Sequence, residues 1–109
     1  MEAWQGDACS LADAIRTKEV RSADALEASL EAIQRSQLNP IVHLDAEGAR
    51  RQAEAIDERV KRGEDPGLFA GVPLLVKDME DAAGMPTSYG SLVFKDNLAE
   101  RDCTHVERL

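Results

Sequence analysis

Lys77 closes the run Gly71-Val72-Pro73-Leu74-Leu75-Val76-Lys77-Asp78, in which apolar side chains follow one another without alternating. Lysine is almost never fully buried without a partner or a function. Two readings of the residue therefore stay open. Its ammonium reaches water at the end of a strand or pairs with an aspartate, the common outcome. Alternatively it is held in a desolvated site, where burial favours the neutral amine and Lys77 can take a proton from a hydroxyl as a general base. Asp78 and Asp81 read equally well as solvated carboxylates or as local hydrogen-bond acceptors, and neither is assigned a catalytic role. His43 and His105 have no nucleophile or metal-ligand spacing around them and read as packing or surface residues. Cys9 and Cys103 lie at opposite ends of the chain with no CxxC spacing, so no metal site, cofactor or disulfide framework is expected, and they read as buried or incidental thiols.

The elements that must position Lys77 divide the chain into a helical half, residues 10–63, and a loop-and-strand half, residues 69–109. Ser10 precedes Leu11, Ala14 and Ile15, which predicts a short helix capped by Ser10 and ending near Lys18. Ser22 caps a second helix with Leu26, Leu30 and Ile33 on one face, and Pro40 predicts its end near Leu38. Ile41 to Leu44 is β-prone and predicts a strand. Ala49, Ala53, Ile56 and Val60 keep a helical period from about Ala46 to Arg62, with Gly63 as the C-cap. In the second half, Leu74 to Val76 predicts a strand buried on both faces, with Lys77 at its end, where α/β sheets place their chemistry. Gly84, Pro86, Thr87, Gly90 and Ser91 mark a winding connection, in which Thr87, Gly90 and Ser91 shape a turn beneath the site. Asp102 caps a final helix carrying Val106 and Leu109. The sequence stops with that helix unfinished, which reads as truncation.

Composition narrows the function classes. A net charge of −8, from 13 basic and 21 acidic residues, repels phosphate backbones and anionic lipid, so neither nucleic acid nor membrane is expected as a direct partner. Met1 to Ser10 has neither a basic start nor an apolar core, and a cytoplasmic location is expected. The apolar content leans on 16 alanines, with only 24 Leu, Ile, Val and Phe residues together. Such a thin core barely offsets the entropy of ordering the chain, which predicts a fold that borrows surface from elsewhere. Self-association through an open apolar edge at Phe69 to Val76 is the expected behaviour of the isolated fragment.

Three strings in register carry a resemblance. Gly71-Val72-Pro73-Leu74-Leu75-Val76-Lys77-Asp78, then Gly84-Met85-Pro86-Thr87-Ser88-Tyr89-Gly90-Ser91, then Asp102-Cys103-Thr104-His105-Val106-Glu107-Arg108-Leu109 resemble the amino-terminal part of an amidase signature family enzyme. The upstream helices with Asn39-Pro40 and Gly63 fit the same pattern, so the resemblance runs from about Ser10 to Leu109. It implies an α/β fold, of which residues 1–109 are the N-terminal fragment of one amidase domain: leading helices plus the first strands of a mixed β-sheet core. It also implies cleavage of a small-molecule amide by acyl transfer through a Ser, cis-Ser, Lys triad, with Lys77 at the position of the base. The family's two serines belong to a glycine- and serine-rich stretch downstream of its Arg-Leu string. No such stretch occurs in these 109 residues, and Ser88 and Ser91 do not substitute for it, so the fragment is expected to be inactive.

The competing reading is a non-catalytic helical module that binds a partner through exposed stripes of Leu26, Leu30 and Ile33 and of Ile56 and Val60. The coding sequence separates the two. A glycine- and serine-rich stretch encoded beyond Leu109 is the expected result, and a stop codon there with no such stretch would favour the binding module.

Overall fold

The computed structural model describes residues 5–109; the first four residues of the Met1 to Ser10 segment lie outside them. Four α-helices are formed: α1 (Ala8–Arg16), α2 (Ser22–Arg35), α3 (Ala46–Lys61) and α4 (Thr104–Arg108). A 3-10 turn spans Leu92–Phe94. The chain gathers into two compact units. One holds the chain up to Pro40 with Asp45–Pro73, and the other holds Ile41–Leu44 with Leu74–Leu109.

In the first unit α2 lies against α3, with α1 also touching α3. Leu26, Leu30 and Ala53 form the buried cluster, and Ala23, Ala46 and Ala49 pack around it. Small side chains let the two helix backbones approach closely, so each contact buries little area and the two leucines supply most of the apolar gain, on the order of 1.5–3 kcal/mol apiece. The stripes expected as an exposed binding surface are therefore turned inward. Leu26, Leu30 and Val60 are 8%, 4% and 8% exposed and Ile33 and Ile56 are half-buried, which covers most of the surface that the binding-module reading required.

The helix ends depart from the sequence expectation in instructive ways. The cap of α1 is Asp7, not Ser10: its carboxylate accepts from the Ser10 amide at 2.8 Å and from the Ser10 hydroxyl at 2.7 Å. Ser22, expected to cap α2, is instead its first helical residue after Arg21, which offers no side-chain cap, and the first-turn amides are served from α3. The Asp57 carboxylate accepts from Ser22 N at 2.7 Å and Ala23 N at 3.1 Å, while the Ser22 hydroxyl donates to the Gly71 carbonyl at 2.9 Å. The helix ends at Arg35 rather than near Leu38, because Ser36 turns extended and its hydroxyl accepts from Leu38 N, drawing the chain away from helical geometry. Helix α3 is capped by Asp45, which accepts from Gly48 N at 2.8 Å. That carboxylate folds over the turn so closely that a Cβ at position 48 would lie 2.0 Å from it, so a side chain there would displace the Asp45 cap. At the other end Gly63 is left-handed, with φ +79°, and its amide bonds the Val60 carbonyl while Glu64 N bonds that of Arg59, the paired closure of a glycine C-cap.

The strand expectations are corrected. Among the described residues there is no strand, and the only β-type pairing is one antiparallel bridge between Pro86 and Leu98. Leu74 to Val76 and Ile41 to Leu44 are irregular, and no backbone hydrogen bond of either segment to another part of the chain is present among the described residues. A strand exists only through a neighbour that accepts and donates along its length, and these segments have none. Leu74 and Leu75, expected to be covered on both faces, are 55% and 62% exposed. The described residues thus show the helical part of the expected α/β fold without its sheet.

Asp57 is the contact whose loss is easiest to read. Asp57→Ala leaves two first-turn amides of α2 without their carboxylate and is expected to lower stability by about 1–2 kcal/mol, seen as a lower urea midpoint by circular dichroism. Asp57→Asn keeps one acceptor oxygen but sets an NH2 donor against the second amide, and is expected to recover no more than about half of it. An unchanged midpoint for the alanine variant would show that the α2 terminus does not depend on this cap.

Candidate functional site

The second unit is built around Lys77 and the loop that follows it. Lys77 is exposed, and its carbonyl accepts from Met79 N at 2.8 Å and Glu80 N at 3.0 Å, which turns the chain sharply after the apolar run. Its side chain borders a recess of about 60 Å³ shared with His43, Val76, Asp78, Glu80 and Met85. A larger neighbouring cavity of about 270 Å³ is lined by Val42, His43, Asp78, Ser88, Leu92 and Lys95 among others. His43, read as a packing or surface residue, is exposed and borders both.

Asp78 organises the turn opposite. Its carboxylate accepts from the Ser88 hydroxyl, from Ser88 N at 2.7 Å and from Gly90 N at 3.2 Å, and its carbonyl accepts from Tyr89 N at 3.0 Å. These bonds hold its carboxyl below the ordinary value of 3.8, the Ser88 hydroxyl contributing most, then the Ser88 amide, with Gly90 and the positive charge of Lys77 adding less and partial desolvation opposing. Three acceptor bonds on one carboxylate fix the conformation of Ser88–Gly90, where Tyr89 and Gly90 are both left-handed at φ +53° and +68°. The Ser88 proton is committed to Asp78, so this hydroxyl serves the turn rather than Lys77. Ser91 likewise accepts from Val93 N at 3.2 Å and starts the 3-10 turn.

Beneath this turn Thr87 is the anchor. It is 1% exposed, and its hydroxyl donates to the Asp81 carboxylate at 2.7 Å. Main-chain bonds from Thr87 N to Asn97 O at 2.9 Å and from Ala99 N to Met85 O at 3.0 Å clamp the two sides of the loop around the Pro86–Leu98 bridge. Asp102, expected to cap α4, instead accepts from Ala83 N at 2.6 Å. The residue preceding α4 is Cys103, which offers no side-chain cap. Its amide donates to the Asp81 carbonyl at 2.9 Å, so the start of α4 is tied to the segment just after Lys77.

That tie produces a grouping the sequence reading missed. Cys103 Sγ lies 3.5 Å from Nδ1 of His105 and 3.7 Å from Oε2 of Glu80. The Cys-Thr-His spacing was visible in sequence, but nothing there linked it to Glu80, 23 positions away. Cys9, the other thiol, is exposed.

With this geometry in place, the likeness to known proteins is decisive. Residues 24–109 match the Amidase family model. The chain belongs to the amidase family. Among curated relatives, it is 36% identical over 104 residues to the A subunit of glutamyl-tRNA(Gln) amidotransferase from Streptomyces coelicolor, covering 94% of this chain and 21% of that protein. It is 38% identical over 106 residues to the protein of the same name from Mycolicibacterium gilvum, covering 94% of this chain and 22% of that one. A solved chain from work describing an unexpected vestigial protein complex and the evolutionary origins of an s-triazine catabolic enzyme superposes with a TM-score of 0.87 at 29% identity, over 94% of this chain and 23% of its own. The chain thus spans about a fifth of the length of these relatives. No described helix is long and apolar enough to cross a membrane.

The Asp78 hub sets a pH dependence. A carboxyl held below its unfolded value contributes stability that is complete above that value and is lost as pH falls through the lower folded one. The Ser88–Gly90 turn is therefore expected to hold at about pH 5 and to loosen as pH drops below 3.8, read by NMR as loss of amide protection at Ser88 and Gly90 relative to the intrinsic exchange rate at each pH. Asp78→Asn should exchange rapidly at both pH values. Equal protection of the wild type at about pH 5 and about pH 2 would show that the carboxylate charge does not hold the turn.

Proposed function

We propose that this chain supplies the lysine base of an amide hydrolase acting by a Ser, cis-Ser, Lys acyl-transfer mechanism. The observation that carries the reading is the coincidence of family membership with the position of Lys77, at the end of the GVPxxxKD string and on the rim of a recess. In the mechanism Lys77 accepts a proton relayed by a bridging serine as a second serine attacks the amide carbonyl. The C–N bond breaks as the proton is delivered to the leaving amine, and water then hydrolyses the acyl-enzyme. Asp78 and Thr87 position this step: the first fixes the turn facing Lys77, and the second locks the loop beneath it.

The mechanism needs the two serines of a glycine- and serine-rich stretch, and a polypeptide without that stretch is expected to be inactive. A lysine base must also lose its water, and Lys77 is exposed, so the role needs apolar cover over the recess. The exposed Leu75 and Val76 beside it are the surface such cover would bury. The amidotransferase relatives are named as parts of larger enzymes, which supports a reading in which this chain works within an assembly and meets its small-molecule amide there.

The test uses a protein in which the glycine- and serine-rich stretch is present. Lys77→Ala is expected to abolish amide hydrolysis while circular dichroism stays unchanged. Lys77→Arg should fail almost as badly, because guanidinium keeps the charge but does not give up its proton. If the arginine variant keeps more than about a tenth of the activity, Lys77 places charge and is not the base.

A further inference from the structure

The geometry points to a zinc-binding site formed by Glu80, Cys103 and His105, three residues to which the proposed acyl-transfer chemistry gives no role. Its three donor atoms lie close together. Cys103 Sγ to His105 Nε2 is 3.8 Å, His105 Nε2 to Glu80 Oε2 is 3.6 Å, and Cys103 Sγ to Glu80 Oε2 is 3.7 Å. The His105–Glu80 separation is too long for an N–H···O bond, which spans about 2.7–3.2 Å, while the two sulfur contacts are of ordinary length for a thiol hydrogen bond. All three are good ligand edges. Zinc bonds of about 2.3 Å to sulfur, 2.0–2.1 Å to nitrogen and 2.0–2.2 Å to oxygen, opened to a tetrahedral angle, put the donors about 3.4–3.6 Å apart. Each observed edge lies within about 0.3 Å of that requirement.

The backbone already holds the donors together. Cys103 N bonds the Asp81 carbonyl, one residue beyond Glu80, and Ala83 N bonds the Asp102 carboxylate, one residue before Cys103, so two clamps flank the cluster on both strands of chain. Glu80 is further fixed by its amide bond to the Lys77 carbonyl. The donor set of one thiolate, one imidazole and one carboxylate suits zinc and excludes magnesium and calcium, which take all-oxygen shells. The Glu80 and His105 side chains are 39% and 58% exposed, which leaves a fourth position open to water. On binding, the Cys103 S–H bond gives up its proton to solvent as the Zn–S bond forms, and no electron is transferred. The metal would pin the first turn of α4 to the loop that follows Lys77.

The experiment is titration of the purified full chain with zinc against a coloured chelator, repeated with cobalt, whose thiolate charge-transfer band reports a cysteine ligand. The wild type should bind one equivalent and show that band. Cys103→Ser should lose the band, and His105→Ala and Glu80→Gln should each weaken zinc binding at least about tenfold, while Cys9→Ser binds as the wild type does. Zinc should also slow alkylation of Cys103, followed by peptide mass, which needs no variant to fold. No stoichiometric zinc at about ten micromolar, or Cys103→Ser and His105→Ala variants that bind like the wild type, would overturn the site. So would equal alkylation of Cys103 with and without the metal.

Discussion

A main-chain N–H removed from water without an acceptor costs about 1–3 kcal/mol, and this chain meets that cost chiefly with aspartate. Asp7, Asp45, Asp57, Asp78 and Asp102 each place a carboxylate oxygen on the amides of a turn or a helix start. Two of the five act locally, over three residues, and set where α1 and α3 begin. The others reach across the chain, Asp57 over 35 positions and Asp102 over 19, and so tie together segments that little apolar area holds. The acidic excess that reads as net charge is in part this set of acceptors. With few large apolar side chains available, charge-assisted bonds to backbone substitute for the packing that a leucine-rich core would provide.

The two units use the device differently. In the first, it supplements a real interface: α2 and α3 exclude water along an alanine-rich seam, and Asp57 secures the helix end that the seam leaves open. In the second, a network of polar bonds around Asp78, Asp81 and Thr87 carries the conformation almost unaided, while Leu92 and Val93 stand 86% and 85% exposed. A loop held this way is well defined where its acceptors are and open to further burial everywhere else. That combination is compatible with the role proposed for Lys77, which needs a fixed direction and apolar surface that can still be covered.

What could be read from sequence followed from how local each signal was. The helices α2 and α3 announced themselves through period and through Gly63, and the GVPxxxKD string placed Lys77 in a family whose model the chain matches. Caps were misplaced wherever the acceptor was not the nearest hydroxyl. Ser10 stood at the right distance but Asp7 took the bond, and Asp102 looked like the cap of α4 but bonds Ala83 instead. No local pattern could pair Asp57 with Ser22 or Glu80 with Cys103, since those contacts exist only after the chain has folded back. The strand at Leu74 to Val76 failed for a related reason. Hydrophobicity makes a segment able to join a sheet, but only a neighbour makes it a strand.

That last distinction bears on how Lys77 comes to act. A lysine amine accepts a proton only when its neutral form is favoured, and removal of water is the usual means. In this chain the apolar run leading to Lys77 faces solvent, so the features that would pair the segment into a sheet and those that would desolvate the lysine are the same uncovered surface. Covering Leu74 to Val76 by a neighbouring strand would bury apolar area, satisfy the free backbone groups and take water from the recess beside Lys77 in one event. Formation of the sheet and activation of the proposed base are then not separate requirements.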